Sequence, residues 1–303
     1  MRQVYFKRRG LLPLAAKYRY MIGDRSVLIF WMPSGVCDMT AKILSLLALL
    51  ACSLSAVKGH TAEPDANANW LQLKPLLFGE RTVHAHATDV LQLYVSQRAD
   101  DAAVVPVMVR TYINQKPERY IKHIYVIIDE NPSPFGVKFT MTPKSGRADI
   151  ETRVRMESSS PIRAIAEMND GSLWMDSAMV FGAGGCSAPI SGGPVDPSLG
   201  KMRLSMDNML SNAGEPVPAQ LMIRHPQITG MSTNVILEPH FVRQVNVYYS
   251  EQLVMSADVD FTISENPVFR FYFLPEGDGE LRAEVVDSSE LRFEQRIAVK
   301  TVK

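Results

Sequence analysis

The sequence predicts an all-β protein built from two sandwich domains. Short runs rich in β-branched residues alternate apolar and polar positions, as in Ile150-Glu-Thr-Arg-Val-Arg-Met156, and this period of two is typical of a half-buried strand. Turn signals such as Asn169-Asp-Gly171 separate the runs. No long amphipathic helix interrupts them, and a stretch rich in Gly and Pro divides them into two groups.

The first group follows Trp70–Gly79, which predicts a short helix or a turn. About seven short strands in roughly 100 residues are typical of an immunoglobulin-like β-sandwich, and each group predicts one such domain. Both sandwiches would leave sheet edges that need cover, so we expect them to pack against each other. The predicted strands span residues 104–113, 121–128, 137–141, 150–156, 162–168 and 173–181 in the first group, and 201–206, 217–223, 244–249, 253–263, 268–274, 280–286 and 291–299 in the second.

The boundary between the groups lies in Gly182–Gly200, where nine of nineteen residues are Gly or Pro and none is Lys or Arg. Such a composition favours neither helix nor strand. The predicted organisation is therefore a leader at 1–62, a sandwich at 63–186, a Gly/Pro-rich linker at 187–200 and a second sandwich at 201–303.

The leader resembles a secretory signal peptide that begins at Met39. Lys42 precedes an apolar run, Ile43–Leu54, which small residues follow. The run is shorter than the roughly 20 apolar residues of a membrane span, so we expect cleavage, export to the periplasm and a misassigned start for the residues before Met39. A lipoprotein acylated at Cys52 is the alternative.

Charge argues against nucleic acid as a partner. Lys plus Arg equals Asp plus Glu at 32 each, but the chain from Glu63 onward carries 23 basic and 30 acidic side chains. A protein with this net negative charge and no cluster of basic residues is poorly suited to bind the phosphates of a nucleic acid. A soluble protein or a small molecule is the expected partner.

Cysteine usage points to one residue. Cys37 and Cys52 precede the expected cleavage site, so Cys186 alone would remain, and it can form neither an internal disulfide nor a Cys-x-x-Cys metal site. One interpretation is a small buried residue in a linker. The other is a reactive thiol on a flexible arm that Gly184 and Gly185 make slender enough to enter a narrow pocket of a partner.

Two sets of motifs together resemble the SoxY and SoxZ subunits of bacterial sulfur-oxidation carriers, in that order along the chain. The fused group described as quinoprotein dehydrogenase-associated SoxYZ-like carriers is the most similar. The SoxY-like motifs are Ala103-Val-Val-Pro-Val107, Asn131-Pro-Ser-Pro134, Thr152-Arg-Val-Arg-Met156 and the Gly-Gly-Cys at 184–186, and the SoxZ-like motifs are Ile223-Arg-His-Pro-Gln-Ile-Thr-Gly230, Ser264-Glu-Asn-Pro267 with the strand after it, and an acidic hairpin at Asp287.

The resemblance implies that Cys186 is the covalent attachment point for sulfur intermediates and that Gly184 and Gly185 form its arm. In the SoxY family this cysteine lies in a Gly-Gly-Cys-Gly-Gly sequence at a free C-terminus. Here Ser187 and Ala188 replace the final glycines, and the chain continues. A tethered arm reaches less far than a free one.

The resemblance also implies partners. Sulfur-oxidation enzymes or a PQQ-dependent dehydrogenase would act on the carrier, and a loop with His225, Pro226, Thr229 and Gly230 would lie beside the partner half, although these residues equally fit a turn that closes a strand.

The function that the sequence favours is a periplasmic, non-enzymatic carrier that presents Cys186 for a small sulfur-containing group. The alternative is a non-covalent adaptor or accessory protein for a periplasmic quinoprotein alcohol dehydrogenase. No acid, base or metal set converges in the sequence; His84 and His86 would share a strand face without a third ligand. We therefore predict no cofactor, no metal and no enzyme activity of its own.

Overall fold

The computed structural model describes residues 17–22, 25–30, 67–189, 197–207, 210–232 and 237–302. The chain divides into two compact units, residues 1–63 and 64–303. In the first unit, β1 (Lys17–Ile22) and β2 (Arg25–Phe30) pair as an antiparallel hairpin. The predicted signal segment, Cys52 and half of the predicted linker (190–196) lie outside the described residues, so the leader and the linker stay predictions.

The second unit begins with one helix, α1 (Ala68–Phe78), where the sequence predicted a short helix or a turn. It ends at Gly79, whose φ of 61° favours glycine. Trp70 and Phe78 bury one side of the helix against Ile165 and Leu173. Within the described residues, no helix is long and apolar enough to cross a membrane.

The first half of this unit, residues 67–189, contains eight strands. The predicted strands are all present with ends shifted by up to two residues, because the alternation of apolar residues reports a buried face but not where pairing stops. Two short strands were missed, since three or four residues carry too little periodicity. The strands are β3 (Val83–Ala85), β4 (Leu91–Tyr94), β5 (Val105–Thr111), β6 (Ile121–Ile128), β7 (Phe135–Met141), β8 (Ile150–Val154), β9 (Ser160–Met168) and β10 (Leu173–Val180).

In the second half, the described residues between 197 and 302 form eight strands as well. Its predicted strands are also present, and the three-residue strand β12 was missed. The strands are β11 (Met202–Met206), β12 (Leu210–Asn212), β13 (Val217–Ile223), β14 (Val242–Tyr249), β15 (Gln252–Val259), β16 (Val268–Phe273), β17 (Gly279–Asp287) and β18 (Arg292–Val302).

The two halves share both of their sheets. One sheet has ten strands in the order β12-β18-β17-β14-β15-β7-β6-β9-β10-β3, and the other has six in the order β11-β13-β16-β8-β5-β4. The halves join where β15 pairs antiparallel with β7, from Met255↔Met141 to Val259↔Val137, and where β16 meets β8 at Arg270↔Glu151. The all-β sandwich class is confirmed. The two halves pack as expected, and they do so by pairing strand edges, so that each half covers an edge strand of the other in both sheets.

The core runs without a break through both halves. Strand β5 alternates buried and less buried residues, which turns one face of the six-stranded sheet inward. Phe139 on β7 meets Phe269 on β16 edge to face, with ring centroids 5.9 Å apart, so aromatic packing crosses both the sheets and the halves. This shared core fixes the first half's C-terminal residues, including Cys186, beside loops of the second half.

Candidate functional site

Cys186 lies just beyond the last strand of the first half, in a segment we call the arm, residues 182–189. Backbone hydrogen bonds anchor the chain directly after β10: Phe181 N–H donates to Gln97 O at 2.8 Å, and Ala99 N–H donates to Phe181 O at 2.9 Å. The chain then leaves the sheet and turns back over the residues that follow β8.

Four consecutive amides of the arm donate hydrogen bonds to residues 156 and 157. Gly184 N–H donates to Glu157 O at 2.8 Å and Gly185 N–H to Met156 O at 2.7 Å. Cys186 N–H and Ser187 N–H both donate to Glu157 Oε2, at 3.0 and 3.1 Å. Cys186 is fully buried, at 0% exposure. We call this arrangement the closed position of the arm.

Gly185 is required for that position because of a close backbone approach. A Cβ at Gly185 would lie 2.0 Å from Ala102 O and 2.7 Å from Met156 O, both backbone atoms that cannot move aside cheaply. Gly184 has a φ of +80°, which favours glycine for a different reason. In the structure these two glycines therefore fit the arm against the sandwich; the flexibility expected of them stays a prediction.

The electrostatics of the closed position keep the thiol protonated. Burial, reinforced by the negative charge of Glu157 and opposed by Arg155, raises the pKa of the Cys186 thiol to about 12. A thiolate is the reactive form of cysteine, so Cys186 is a poor nucleophile while the arm is closed.

Arg155 places a buried guanidinium beside the arm. Its Nη1 donates to Gln227 O at 2.9 Å, and its backbone N–H donates to Thr262 O at 2.7 Å. Its Nε is buried and has no hydrogen-bond partner among the described residues. Burial lowers the pKa of this guanidinium, whereas the Cys186 sulfur and nearby carboxylates raise it.

The loop predicted from the SoxZ-like motif contacts this site. Thr229 Oγ1 donates to Cys186 O at 2.8 Å, and Pro226 O faces Arg155 Nη2 at 3.5 Å. Gly230, at a φ of +80°, passes close to Pro239. The structure thus brings three of the predicted site residues, Cys186, Thr229 and Pro226, into one network that joins the halves.

The fourth predicted loop residue, His225, lies in a separate cluster with His240 and Asp287. His240 Nε2 is 2.7 Å from Asp287 Oδ2, and His225 Nε2 is 3.6 Å from the same oxygen. Among the described residues, this is the set of His and carboxylate groups whose ligand atoms lie close enough together to hold a metal ion.

Hydrogen bonds orient His240 and Asp287 in this cluster, whereas His225 Nε2 is buried without a hydrogen-bond partner among the described residues. Gln227 N–H donates to His225 Nδ1 at 3.3 Å, so the proton of the neutral ring resides on Nε2, the atom that a metal would need. Asp287 Oδ1 accepts from Ser289 and Leu291 N–H at 2.8 and 2.9 Å, which makes the carboxylate an anchor for the hairpin after β17. We assign the cluster a structural role.

Sequence reasoning missed Glu157, Arg155 and His240 as neighbours of the predicted residues. Glu157 follows a strand and lies 29 positions before Cys186, and no local spacing reveals such a contact. The one available signal was Ser187, where the resembled family has glycine. Its hydroxyl donates to Glu157 Oε1 at 3.0 Å.

Two protein families match the chain. The model of "Sulfur oxidation protein SoxY" matches residues 75–186, and that of "Sulphur oxidation protein SoxZ" matches residues 206–298. No curated protein sequence matches this one.

Solved structures resemble the chain only distantly. The sulfur carrier protein SoxY from Chlorobium limicola f thiosulfatophilum is 20% identical, with a TM-score of 0.32 over 39% of this chain and 94% of its own. Superoxide reductase (neelaredoxin) from Ignicoccus hospitalis is 12% identical, with a TM-score of 0.29 over 33% and 94%. Fibronectin(III)-like modules of Clostridium thermocellum CbhA are 10% identical, with a TM-score of 0.23 over 70% and 95%.

TM-scores this low do not support a conclusion about function. The two family matches, in contrast, agree in order and position with the SoxY-like and SoxZ-like motifs of the sequence. The SoxY match ends on Cys186 itself. The chain therefore contains, in tandem, one region that matches the SoxY family and one that matches the SoxZ family.

Proposed function

We propose that this protein is an exported, non-enzymatic carrier of sulfur oxidation that holds a small sulfur-containing group covalently on Cys186 while partner enzymes act on it. The observation that carries the proposal is the position of Cys186. It is the last residue of the SoxY match and the one cysteine in the part of the chain that the structure describes.

The surroundings of the thiol support a carrier better than a self-activated nucleophile. The Glu157 carboxylate raises the pKa of Cys186 rather than lowering it, and it accepts hydrogen bonds from backbone N–H groups of the arm. An enzyme nucleophile is normally paired with a base that lowers its pKa. A carrier thiol needs only to become accessible when a partner engages it.

The location and partners of the carrier follow from the sequence. The signal-like segment after Met39 supports export to the periplasm, and the SoxY and SoxZ domains make sulfur-oxidation enzymes the expected partners. The finer resemblance to quinoprotein dehydrogenase-associated carriers makes a PQQ-dependent dehydrogenase a further candidate. Affinity capture of the tagged protein from its native host, with Cys186→Ser as the comparison, tests both partner classes.

Intact-protein mass spectrometry of native material under non-reducing conditions tests the carrier function. We expect a sulfur-containing adduct that maps to Cys186, disappears on reduction and is missing from the Cys186→Ser variant. The same spectrum gives the mature N-terminus. A thiol that is always bare, together with full function of Cys186→Ser in the host, would reject the carrier in favour of the non-covalent adaptor.

A further inference from the structure

The Glu157 carboxylate closes the arm over Cys186. Oε2 accepts the N–H groups of Cys186 and Ser187 at 3.0 and 3.1 Å, and Oε1 accepts the Ser187 hydroxyl at 3.0 Å. Hydrogen bonds to an ionised carboxylate are stronger than those between neutral groups. One side chain therefore holds two consecutive residues of the arm, including the cysteine itself.

Glu157 is itself fixed in place. Its backbone N–H donates to Asn131 Oδ1 at 2.9 Å, and Asn131 Nδ2 donates to Arg155 O at 2.8 Å. The buried side-chain amide of Asn131 thus bridges Arg155 and Glu157, the residues on either side of Met156. The carboxylate thus projects from a rigid backbone.

The closed position shuts the thiol off from solvent. Cys186 is fully buried, and the preceding residue packs so tightly that even a methyl group on Gly185 would overlap Ala102 O. Atoms added to the sulfur would therefore have to fit into a tightly packed site that solvent does not reach. A negatively charged group on the sulfur would be repelled by the carboxylates of Glu157 and Asp260 and attracted by the Arg155 guanidinium; of these charges, Glu157 has the largest effect on the pKa of the thiol.

We propose that Glu157 is a clamp that closes the arm over the free, uncharged thiol, and that attachment of an anionic sulfur group to Cys186 forces the arm open. Ser187, which stands where the SoxY family has glycine, strengthens the clamp through its hydroxyl. The identity of the cargo rests on the proposed carrier function. The clamp is a property of the unloaded protein and is measured without any cargo.

Alkylation kinetics of Cys186 with iodoacetamide test the clamp. We expect Glu157→Ala to react at least about tenfold faster than the unaltered protein, because the loss of charge-assisted hydrogen bonds has at least that effect on opening. Ser187→Ala removes one of the bonds, so we expect a smaller increase. Glu130→Ala is the matched control, because Glu130 is exposed and its carboxylate makes no contact with the arm among the described residues.

The pH dependence of the alkylation rate shows whether the charge of Glu157 controls the Cys186 thiol or whether Glu157 only supports the local structure. Glu157→Gln keeps the side-chain shape but removes the charge that raises the pKa of Cys186. We therefore expect its alkylation to accelerate at a lower pH than in the unaltered protein, while both proteins react equally in denaturant. Equal rates and equal profiles for Glu157→Ala, Glu157→Gln and the unaltered folded protein would overturn the clamp.

An anionic adduct tests the second part of the proposal. The Cys186 thiolate attacks the central S–S bond of tetrathionate; a new S–S bond forms to one half, and the other half leaves as thiosulfate. The thiol is oxidised by two electrons and tetrathionate is reduced. The product, Cys186–S–S₂O₃⁻, carries an added negative charge.

Amide hydrogen exchange at residues 184–187 then reports the arm. In the free thiol all four amides donate hydrogen bonds, so we expect slow exchange. In the adduct we expect at least about tenfold faster exchange, because the bonds to Glu157 are lost. Cys186→Ala treated with tetrathionate should remain unchanged. Equally slow amide exchange in the adduct and in the free thiol would overturn the proposal that an anionic group opens the arm. The carrier function is tested separately, and it fails only if native material never bears an adduct.

Discussion

Thr229 Oγ1 donates a buried hydrogen bond of 2.8 Å to the carbonyl oxygen of Cys186. Thr229 belongs to the loop after β13, in the second half, and Cys186 to the arm of the first. The position of the cysteine therefore depends on both halves. The fusion of the two domains keeps this contact independent of protein concentration.

Replacement of Thr229 by Val should loosen the arm. Valine has nearly the same shape but no hydroxyl, so the buried Cys186 carbonyl would lose its partner at a cost of about 1–3 kcal/mol. We expect a lower free energy of unfolding in urea and faster alkylation of Cys186. Thr229→Ser keeps the hydroxyl and should stay close to the unaltered protein; equal behaviour of the two variants would contradict the role of this bond.

Replacement of Gly185 by Ala should expel the arm from its closed position. The new Cβ would lie 2.0 Å from Ala102 O, so the backbone must shift. We expect accelerated alkylation of Cys186 and loss of amide protection in the arm. Gly277→Ala is the matched control, since nothing lies within 4 Å of a Cβ there. Unchanged alkylation in Gly185→Ala would mean that the arm does not pack as described.

His225 should make the protein less stable in acid. Burial, reinforced by His240, lowers its pKa from 6.5 to about 4. Between these values the unfolded chain binds a proton that the folded protein does not, so the stability present above pH 6.5 is lost as the pH falls towards about 4. The shift corresponds to a loss on the order of 3 kcal/mol.

The variant His225→Gln isolates this effect, because glutamine does not titrate. Urea unfolding between pH 7 and pH 4 should show a shallower pH dependence for the variant than for the unaltered protein. Parallel curves across that range would show that His225 does not titrate differently in the folded and unfolded states.

Phe139 should stabilise both halves together. It is fully buried and contacts Phe269 of the other half, and Phe→Ala substitutions at such sites cost about 3–5 kcal/mol. We expect one cooperative unfolding transition at a lower denaturant concentration. Leu76→Ala, at an 82% exposed position of α1, should change stability little. Two separated transitions in Phe139→Ala would show that the halves unfold independently.

Strand positions could be predicted because each strand carries its own signal. The run Ile121–Ile128 was predicted with both ends correct, since its apolar residues and flanking turns are local features. Strand β4 was missed because four residues hold too little periodicity, although Leu91 is fully buried. The extent of a strand depends on what it pairs with, which adjacent residues do not record.

The site divides in the same way. The number of cysteines and the expected cleavage of the leader singled out Cys186. The resemblance to SoxZ motifs added Thr229. Glu157 and Arg155 stayed hidden, because their contacts to the arm and to the 226–229 loop span 29 and more than 70 positions of sequence. The sequence left two interpretations of Cys186 open, a small buried residue and a thiol on a flexible arm, and only the structure shows that the residue is buried.

By itself, the sequence determined the all-β class, most of the strands and the order of the two domains, and it singled out Cys186 as the expected attachment point. The tertiary structure alone decided that β7 and β15 join the halves into shared sheets, that Glu157 closes the arm, and that the thiol is buried with a raised pKa. The physical reason is that periodicity and turn chemistry act between near neighbours in the chain, whereas burial, charge and the pairing of sheet edges depend on residues that only folding brings together.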